Sequence, residues 1–314
     1  MKIAYACDNN YISHTGISIK SLLANNTDIE ELIIYLISVN ISDDNINRIN
    51  SIVHDYKREL IVIPFKKLCP NLKLSSVGRH IETVYAKLFF GNLEDVDKII
   101  YLDSDIIING SLREMWDTDL ENNYFGLVKT ITKDYSEKLG LSVFEPFYND
   151  GVAIVNAKLL RDDQMERKFL QFIDYHHGNP PVLSEGTINV ICKGRIKTIH
   201  PKFNFGSALL MYKNHSLNVL ANEKEFYSAI VLNEARSQPV VIHYLAGWYK
   251  RPWESGCSHP LKNKYLEVKA KSVWKDEPLK DKQLSMKLKF LKFVSSIFPI
   301  ELVKLLILGF RKIK

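Results

Sequence analysis

Short apolar runs that alternate with longer helix-type patterns constrain the fold of this chain more than any other feature. Runs such as KIAYACD, ELIIYLISV and KIIYL have the length of one buried strand, and the patterns TGISIKSLLANN and SDDNINRINSIVHDY between them have helical spacing. Strands that alternate with helices in this way form βαβ units, whose strands pair in parallel. The sequence therefore predicts an α/β fold with a mostly parallel central sheet.

The alternation continues beyond residue 120. Strands are predicted for NYFGLVKT, for GVAIVNAKLL and for residues 239–244, and helices for residues 162–176, 186–194 and 258–272. The chain has 314 residues, of which 46% are hydrophobic, so we expect one large domain with a sizeable core and an appendage.

The cysteines and the N-terminus indicate the compartment. Cys7, Cys69, Cys192 and Cys257 are far apart and form no CxxC pair, so neither a zinc knot nor a disulfide framework is expected. A reducing cytoplasm fits this pattern. The start MKIAYACDNN has too short an apolar stretch for a secretory signal, and export is therefore not expected.

The basic character of the chain is concentrated at its C-terminus. Residues 280–314 carry nine Lys and Arg against Asp281 and Glu301, whereas the preceding residues carry 33 basic and 34 acidic side chains. A body that binds nucleic acid would itself need to be positive, so no nucleic acid is expected as a partner. The C-terminal segment is interpreted as a separate device.

Two carboxylates follow the apolar run that ends at Leu102. Asp103 and Asp105 are one residue apart, so their side chains point the same way at the carboxyl end of a predicted strand, where α/β proteins bind ligands. Two carboxylates leave most positions of a hard divalent cation open for water or phosphate oxygens. The motif alone is also typical of a pair of turn aspartates.

Motifs ordered over about the first 255 residues give the chain a resemblance to a known family. They are ACDNNY after the first strand, VYAKL, YLDSD, WDTDL, FYNDGV and HYLAGWYKRPW. Together they resemble family 8 glycosyltransferases, most closely bacterial lipooligosaccharide and capsule enzymes, with glycogenin a more distant relative. The resemblance implies a GT-A fold, which is a Rossmann-like nucleotide-sugar-binding domain. It also implies transfer of a hexose from a UDP-sugar with retention of anomeric configuration.

The resemblance implies a site as well. Nucleotide-sugar contacts are expected from Ala6, Asp8, Asn10, Lys87, Asp103, Ser104, Asp105, Gly247 and Lys250, metal ligation from Asp103, Asp105 and His243, and catalytic roles from Asn149, Asp150 and Glu185. Because a nitrogen ligand favours Mn²⁺ over Mg²⁺, Mn²⁺ is the expected metal and Mg²⁺ the alternative.

Several of these assignments have a structural alternative. Asp8 and Asn10 offer the donors and acceptors that a uracil edge or ribose hydroxyls need, yet the pair is also typical of an Asx turn. Lys87 is assigned to donor phosphate or sugar, whereas an isolated helix lysine is usually solvated. His243 is either a metal ligand or a core histidine. Lys250 would neutralise the leaving diphosphate, and Gly247 would let the backbone approach it.

Two positions depart from the family pattern. Ser184-Glu185-Gly186 stands where many relatives have Asp-Gln-Asp. Because the Gln of that motif lies near the anomeric carbon in the family, the resemblance implies that Glu185 would place a carboxylate there. Asp150 stands where the residue is usually small. The alternatives are a carboxylate at a helix N-terminus for Glu185 and a turn aspartate for Asp150. The donor hexose and the acceptor therefore cannot be copied from any one relative.

The predicted function is metal-dependent transfer of galactose or glucose from a UDP-sugar to a saccharide acceptor of a cell-surface glycan, either lipopolysaccharide or capsule. The metal and Lys250 would stabilise departing UDP while an acceptor hydroxyl attacks the same face of the sugar. Double displacement through Glu185 is the alternative mechanism. The rival functions are a nucleotide-sugar-binding protein without catalysis and a nucleotidyltransferase, and a phosphatase of the HAD type is disfavoured.

The chain is predicted to divide into a catalytic domain (1–255), a helical connection (256–279) and a helical, basic, amphipathic tail (280–314). The apolar run over residues 300–310 is too short to span a bilayer, which needs about 20 apolar residues. Charge and apolar side chains together predict that the tail holds a cytoplasmic enzyme on the inner face of an anionic membrane, beside a lipid-linked glycan acceptor. The alternative is a C-terminal helix that packs on the body or pairs subunits.

Overall fold

The structure is a computed structural model that describes residues 1–75, 81–133, 135–245, 249–282, 294 and 297–305. The strands are β1 (Lys2–Asp8), β2 (Ile33–Val39), β3 (Glu59–Pro64), β4 (Lys98–Leu102), β5 (Ile106–Ile108), β6 (Phe125–Lys129), β7 (Tyr148–Asn156), β8 (Ile196–Thr198), β9 (Phe205–Gly206) and β10 (Val241–His243). The α-helices are α1 (Ile12–Ala24), α2 (Asp43–Asp55), α3 (Phe65–Leu68), α4 (Ile81–Tyr85), α5 (Arg113–Asp117), α6 (Ala157–Asp162), α7 (Met165–Tyr175), α8 (Leu183–Ile191), α9 (Ser207–Met211), α10 (Asn214–Ala221), α11 (Ala229–Ser237) and α12 (Lys262–Ala270). Short 3-10 helices cover Ala86–Asn92, Glu137–Leu139 and Pro201–Asn204.

A seven-stranded sheet in the order β3-β2-β1-β4-β7-β6-β8 forms the centre of the described part of the chain. β7 runs antiparallel to both of its neighbours, and the other paired strands of this sheet are parallel. The mostly parallel sheet predicted from the sequence is therefore confirmed. A smaller sheet in the order β5-β10-β9 stands beside it.

Alternate residues of the central strands pack into apolar layers on opposite faces of the main sheet. Ile3 and Tyr5 of β1 belong to the cluster that α1 and α2 cover, whereas Ala4 and Ala6 belong to the cluster that α7 and α8 cover. Successive side chains of a strand point to opposite faces, so a strand buried on both faces reads as a continuous apolar run. This is why KIAYACD shows no alternation of polar and apolar residues.

The predicted strand GVAIVNAKLL is wrong for its last four residues. β7 ends at Asn156, whose side-chain oxygen accepts a hydrogen bond from the backbone N–H of Leu159 and caps α6. An asparagine at this position satisfies a backbone donor that the first helical turn leaves free, so it favours helix initiation over continuation of the strand. The segment TVYAKLFFGNL has a helix-type pattern, and it forms the end of the short α4 followed by the 3-10 helix over Ala86–Asn92.

Part of the C-terminal segment lies outside the described residues, namely 283–293, 295–296 and 306–314. In the described part, Val303 is buried and the Lys304 ammonium donates to the carbonyl of Val219 and the side chain of Asn222, at the end of α10. Phe298 and Leu305 are exposed. No helix within the described residues combines the length and apolar character that a membrane crossing requires.

The helical connection adds to the main core. Tyr265 of α12 and Trp274 belong to the cluster that contains residues of α1, and the ring of Trp274 packs against Gly16. A Cβ built on Gly16 would come within 2.0 Å of that ring. The contact between Trp274 and α1 therefore requires a glycine at position 16.

We expect Trp274→Ala to lower the free energy of unfolding by about 3–5 kcal/mol, because removal of a fully buried indole leaves a cavity against α1. The neighbouring Val273→Ala variant is the matched control, since that side chain is exposed and its loss should stay within about 0.5 kcal/mol. Urea unfolding followed by far-UV circular dichroism measures both. Equal losses in the two variants would contradict the packing role of Trp274.

Candidate active site

The ends of three strands bring the candidate site together. β1 and β4 are parallel neighbours, so Asp8 at the end of β1 and Asp103 directly after β4 lie at the same edge of the main sheet. β10 is antiparallel to β5 with His243 opposite Ile106, which places His243 beside Asp105. The two sheets therefore meet at the Asp-x-Asp segment.

Asp103, Asp105 and His243 form a group whose possible ligand atoms all lie within 4.8 Å of one another. His243 Nε2 is 3.0 Å from Asp105 Oδ1 and 3.9 Å from Asp103 Oδ2. Elsewhere among the residues that the structure describes, no second group of three His, Cys, Asp or Glu has this closeness. Two carboxylate oxygens and one imidazole nitrogen suit a borderline divalent cation such as Mn²⁺.

Each charge of this group changes the pKa of the others. Burial raises the pKa of Asp103 to about 6, with a further rise from the Asp105 charge and an opposing effect of Lys87. Burial alone would raise the pKa of Asp105, but His243 and Arg251 outweigh it and hold that pKa below its usual range. Burial disfavours the charged imidazole of His243, yet the Asp105 carboxylate beside it raises the pKa of His243. A positive charge between these groups is therefore favoured.

Gly151 allows the group to be this compact. A Cβ on Gly151 would come within 2.4 Å of His243 Cε1 and 2.5 Å of Asp103 Oδ2. The carbonyl of Gly151 also accepts a hydrogen bond from the backbone N–H of Asp103, over 2.8 Å. Any larger residue would push the imidazole away from the carboxylates, so the glycine of FYNDGV is a requirement of the geometry.

Lys87 is buried behind the metal-ligand group rather than solvated. Its ammonium lies 3.0 Å from Asp150 Oδ2, 3.9 Å from Asp103 Oδ1 and 4.2 Å from the centre of the Tyr101 ring. The Ser184 hydroxyl donates to the same Asp150 oxygen over 2.5 Å. Asp150 thus balances a buried lysine, which is a more specific role than that of a turn aspartate.

Glu185 lies in the first turn of α8 and points to the same site. Its Oε2 accepts a hydrogen bond of 2.7 Å from Asn149 Nδ2. Burial, and after it the charge of Asp150, raises the pKa of Glu185 to about 8, and the bond from Asn149 opposes this rise. A carboxyl group kept neutral can both donate and accept hydrogen bonds, as an amide can.

The first loop of the site is an Asx turn. Asp8 Oδ1 accepts from the backbone N–H of Asn10 at 2.9 Å and of Tyr11 at 3.2 Å, and the Asn10 amide donates to Asp8 Oδ2 at 3.0 Å. Ala6 is buried within β1, and the Ser104 hydroxyl accepts from Thr15 over 2.8 Å. The structural alternative for Asp8 and Asn10 is thus present, and it places Asn10 at an exposed position beside the site.

The loop after β10 supplies a cation that differs from the predicted one. Lys250 Nζ donates to the carbonyl of Ser255, whereas Arg251 donates to Asp105 Oδ2 over 2.8 Å and to the hydroxyl of Tyr11 over 3.1 Å. Gly247 lies outside the described residues. The structure therefore brings Arg251, and not Lys250, into contact with the metal-ligand group.

Three residues of the site were missed from the sequence. Arg251 follows the predicted Lys250, and a basic residue in HYLAGWYKRPW was the available signal. Tyr101 donates to Asp103 Oδ1 over 2.8 Å, but in the sequence nothing distinguishes it from the other residues of its strand. Asn204, which contacts both His243 and Asn149, stands in a segment to which no motif points.

Comparisons with known proteins show the family and the fold of the chain. The profile of glycosyl transferase family 8 matches residues 2–257. General stress protein A of Bacillus subtilis is 23% identical over 282 residues, which cover 87% of this chain and 94% of that protein. A lipopolysaccharide 1,3-galactosyltransferase of Salmonella typhimurium is 22% identical over 288 residues, which cover 87% of this chain and 78% of that protein.

A crystal structure of the galactosyltransferase LgtC, in complex with donor and acceptor sugar analogues, has the same fold. It superposes with a TM-score of 0.69 at 20% identity and covers 92% of this chain and 99% of that chain. The GT-A fold that the sequence predicts is thereby confirmed. Because the family profile extends over most of the chain, the protein belongs to glycosyl transferase family 8 and is a glycosyltransferase.

Proposed function

We propose that the protein transfers galactose or glucose from a UDP-sugar to a saccharide acceptor of a bacterial lipopolysaccharide or capsule, in a metal-dependent reaction that retains anomeric configuration. The observation that carries the proposal is the Asp103-Asp105-His243 group at the carboxyl edge of a nucleotide-binding type of sheet. The name of the Salmonella typhimurium relative, a lipopolysaccharide galactosyltransferase, supports the glycan class.

Asp103, Asp105 and His243 would hold the metal, and Mn²⁺ fits their mixed oxygen and nitrogen donors better than Mg²⁺ does. The cation would bind the diphosphate of the donor and stabilise the charge that develops on UDP. The neighbouring Arg251 guanidinium holds Asp105 in place from the other side. Lys250, one residue earlier, would exchange its hydrogen bond to the carbonyl of Ser255 for one to a bound diphosphate. Gly247 of the same loop is proposed to let the backbone approach that diphosphate.

Asp8 and Asn10 are proposed to bind the nucleoside. Their Asx turn keeps the Asp8 carboxylate fixed by backbone donors, and Asn10 remains exposed at the edge of the sheet. A preorganised loop of this kind lowers the entropy that is lost when a ligand binds. Ala6 and Ser104 would line the floor of the same pocket.

Glu185, Asn149 and Asp150 are proposed to face the transferred sugar. A neutral Glu185 offers the anomeric centre a carbonyl oxygen, much as an amide would, and supports front-face attack by the acceptor hydroxyl. Double displacement would instead need an ionised Glu185 as the nucleophile. The raised pKa of Glu185 favours the front-face route.

The tail is proposed to hold the protein on the inner face of an anionic membrane. Its described part presents apolar side chains at Ile297, Phe298, Leu302 and Leu305 to solvent, while Val303 and Lys304 pack on the body. Exposed apolar groups in a segment whose sequence carries nine Lys and Arg fit a lipid interface, where each basic residue contributes about 1 kcal/mol. Packing on the body, the alternative expected from the sequence, thus coexists with an outward apolar face.

We expect Asp103→Asn and Asp105→Asn to abolish Mn²⁺-dependent release of UDP from UDP-galactose or UDP-glucose, because each removes one hard ligand and its charge. A UDP-release assay without acceptor measures the loss, and far-UV circular dichroism checks the fold. The exposed Asp44→Asn variant is the control and should keep wild-type turnover. Undiminished turnover in both site variants, or no turnover of any UDP-sugar by the wild type, would contradict the proposed function.

We expect Glu185→Gln to keep kcat within about tenfold of the wild type, because Glu185 is not the nucleophile in front-face attack. Loss of a covalent nucleophile would instead lower kcat by several orders of magnitude. Near-total loss of kcat with intact donor binding would favour the double-displacement route.

The stability of the same Glu185→Gln variant is a second readout. The raised pKa means that folded Glu185 keeps a proton that the unfolded chain loses above its ordinary pKa of 4.5, so wild-type stability falls as the pH rises toward about 8. Relative to the wild type, Glu185→Gln should therefore gain melting temperature between pH 5 and pH 8.

We expect the triple variant Phe298→Ser, Leu302→Ser, Leu305→Ser to bind vesicles of phosphatidylserine and phosphatidylcholine more weakly than the wild type in co-sedimentation. Each apolar side chain that leaves water contributes about 1.5–3 kcal/mol. Ile230→Ser, a change of an exposed apolar residue on α11, is the control and should leave vesicle binding unchanged. Release of UDP from the donor should be equal in all three proteins. Equal vesicle binding by the triple variant and the wild type would refute the anchor.

A further inference from the structure

We infer that Asn204 is a positioning residue that fixes the orientation of His243 and of the Asn149–Glu185 pair, and so links the metal ligands to the carboxyl group near the transferred sugar. The inference rests on the proposed function. It concerns a residue to which the proposed function assigns no role.

Asn204 is held in place by secondary structure on both sides. It is the last residue of the 3-10 helix over Pro201–Asn204 and directly precedes β9, which pairs in parallel with β10 so that Gly206 lies opposite His243. The side chain is buried. Its Oδ1 lies 2.8 Å from His243 Nδ1, and its Nδ2 donates to Asn149 Oδ1 over 2.7 Å. Both ends of the amide are therefore used.

A backbone group sets the direction of these hydrogen bonds. The N–H of Gly151 can only donate, and it donates to Asn149 Oδ1 over 3.2 Å. Asn149 therefore presents its oxygen to Asn204, and Asn204 must present its NH₂ in return. The oxygen of Asn204 then faces His243, which must carry a proton on Nδ1.

The tautomer that results is the one that a metal ligand needs. With its proton on Nδ1, neutral His243 directs the lone pair of Nε2 toward Asp105 Oδ1 and Asp103 Oδ2. A lone pair and two carboxylates repel one another unless a cation lies between them. Partners that fix the second nitrogen of a ligating histidine typically account for 10–100-fold in metal affinity. Asn204 is the partner in this site.

The other end of Asn204 acts on the sugar side. Because Asn204 and Gly151 both occupy Asn149 Oδ1, the NH₂ of Asn149 is directed to Glu185 Oε2. Without the donor from Asn204, the Asn149 amide loses one of the two groups that hold its orientation. A misplacement of about 1 Å near the reacting centre can cost on the order of 10²-fold in rate.

Two substitutions separate the two ends of the amide. Asn204→Ala removes both hydrogen bonds, so we expect about 10–100-fold weaker binding of Mn²⁺ and a lower kcat for UDP release. Asn204→Asp keeps an oxygen that accepts from His243 but loses the donor to Asn149. We expect this variant to bind Mn²⁺ at least as tightly as the wild type and to lose kcat by about tenfold or more.

Mn²⁺ binding is measured with the metal alone, by electron paramagnetic resonance of the free ion, and kcat from UDP release at saturating Mn²⁺. Asn26→Ala is the matched control, because Asn26 is a buried asparagine with two backbone partners. It lies just beyond the C-terminal end of α1, whereas the site lies at the N-terminal end of that helix. The Asn26→Ala variant should lower the melting temperature without changing Mn²⁺ affinity or kcat.

Wild-type Mn²⁺ affinity in Asn204→Ala would overturn the inference and leave the proposed function standing. Loss of Mn²⁺ affinity in Asn204→Asp equal to that in Asn204→Ala would overturn it as well, since a structural role of the residue predicts no separation of the two readouts. A wild-type protein that binds no Mn²⁺ would overturn the inference together with the proposed metal site.

Discussion

The repulsion between Asp103 and Asp105 is the constraint on which the rest of the site depends. Two carboxylates that leave water side by side are costly unless positive charge surrounds them. The fold provides that charge from two directions, with Lys87 behind Asp103 and Arg251 beside Asp105. The chain keeps the carboxylates close and ionisable at a place where a cation and a diphosphate can approach.

The cations that surround the carboxylates are themselves held in place by partners outside the group. Lys87 contacts Asp150 and the Tyr101 ring, and Arg251 contacts Tyr11. Lys87 thus ties the metal-ligand group to the start of β7 and to β4, and Arg251 ties it to the loop before α1. Contacts of this kind orient the charges before a ligand binds, which favours strong electrostatic stabilisation of a leaving group.

The sequence was sufficient for features that depend on local spacing and insufficient for those that depend on contacts between distant segments. The strands of the parallel half and the pair Asp103 and Asp105 follow from apolar runs and from an i, i+2 spacing. The roles of Arg251 and Asn204 depend on how β5, β9 and β10 pair, and these strands have only two or three residues each. Strands so short show no periodicity, so their pairing could not be predicted from spacing, and His243 was grouped with Asp103 and Asp105 only through the family resemblance.

The backbone of Gly151 sets the width of the site. Its carbonyl accepts from the backbone N–H of Asp103, and the imidazole of His243 occupies the space that a Cβ on Gly151 would need, so no side chain can be introduced at this position without moving the metal-ligand group. Side chains remain free to vary on the opposite wall, where α8 presents Ser184 and Glu185. Divergence toward a new donor sugar would therefore proceed through side chains such as Ser184 and Glu185, with Gly151 itself unchanged.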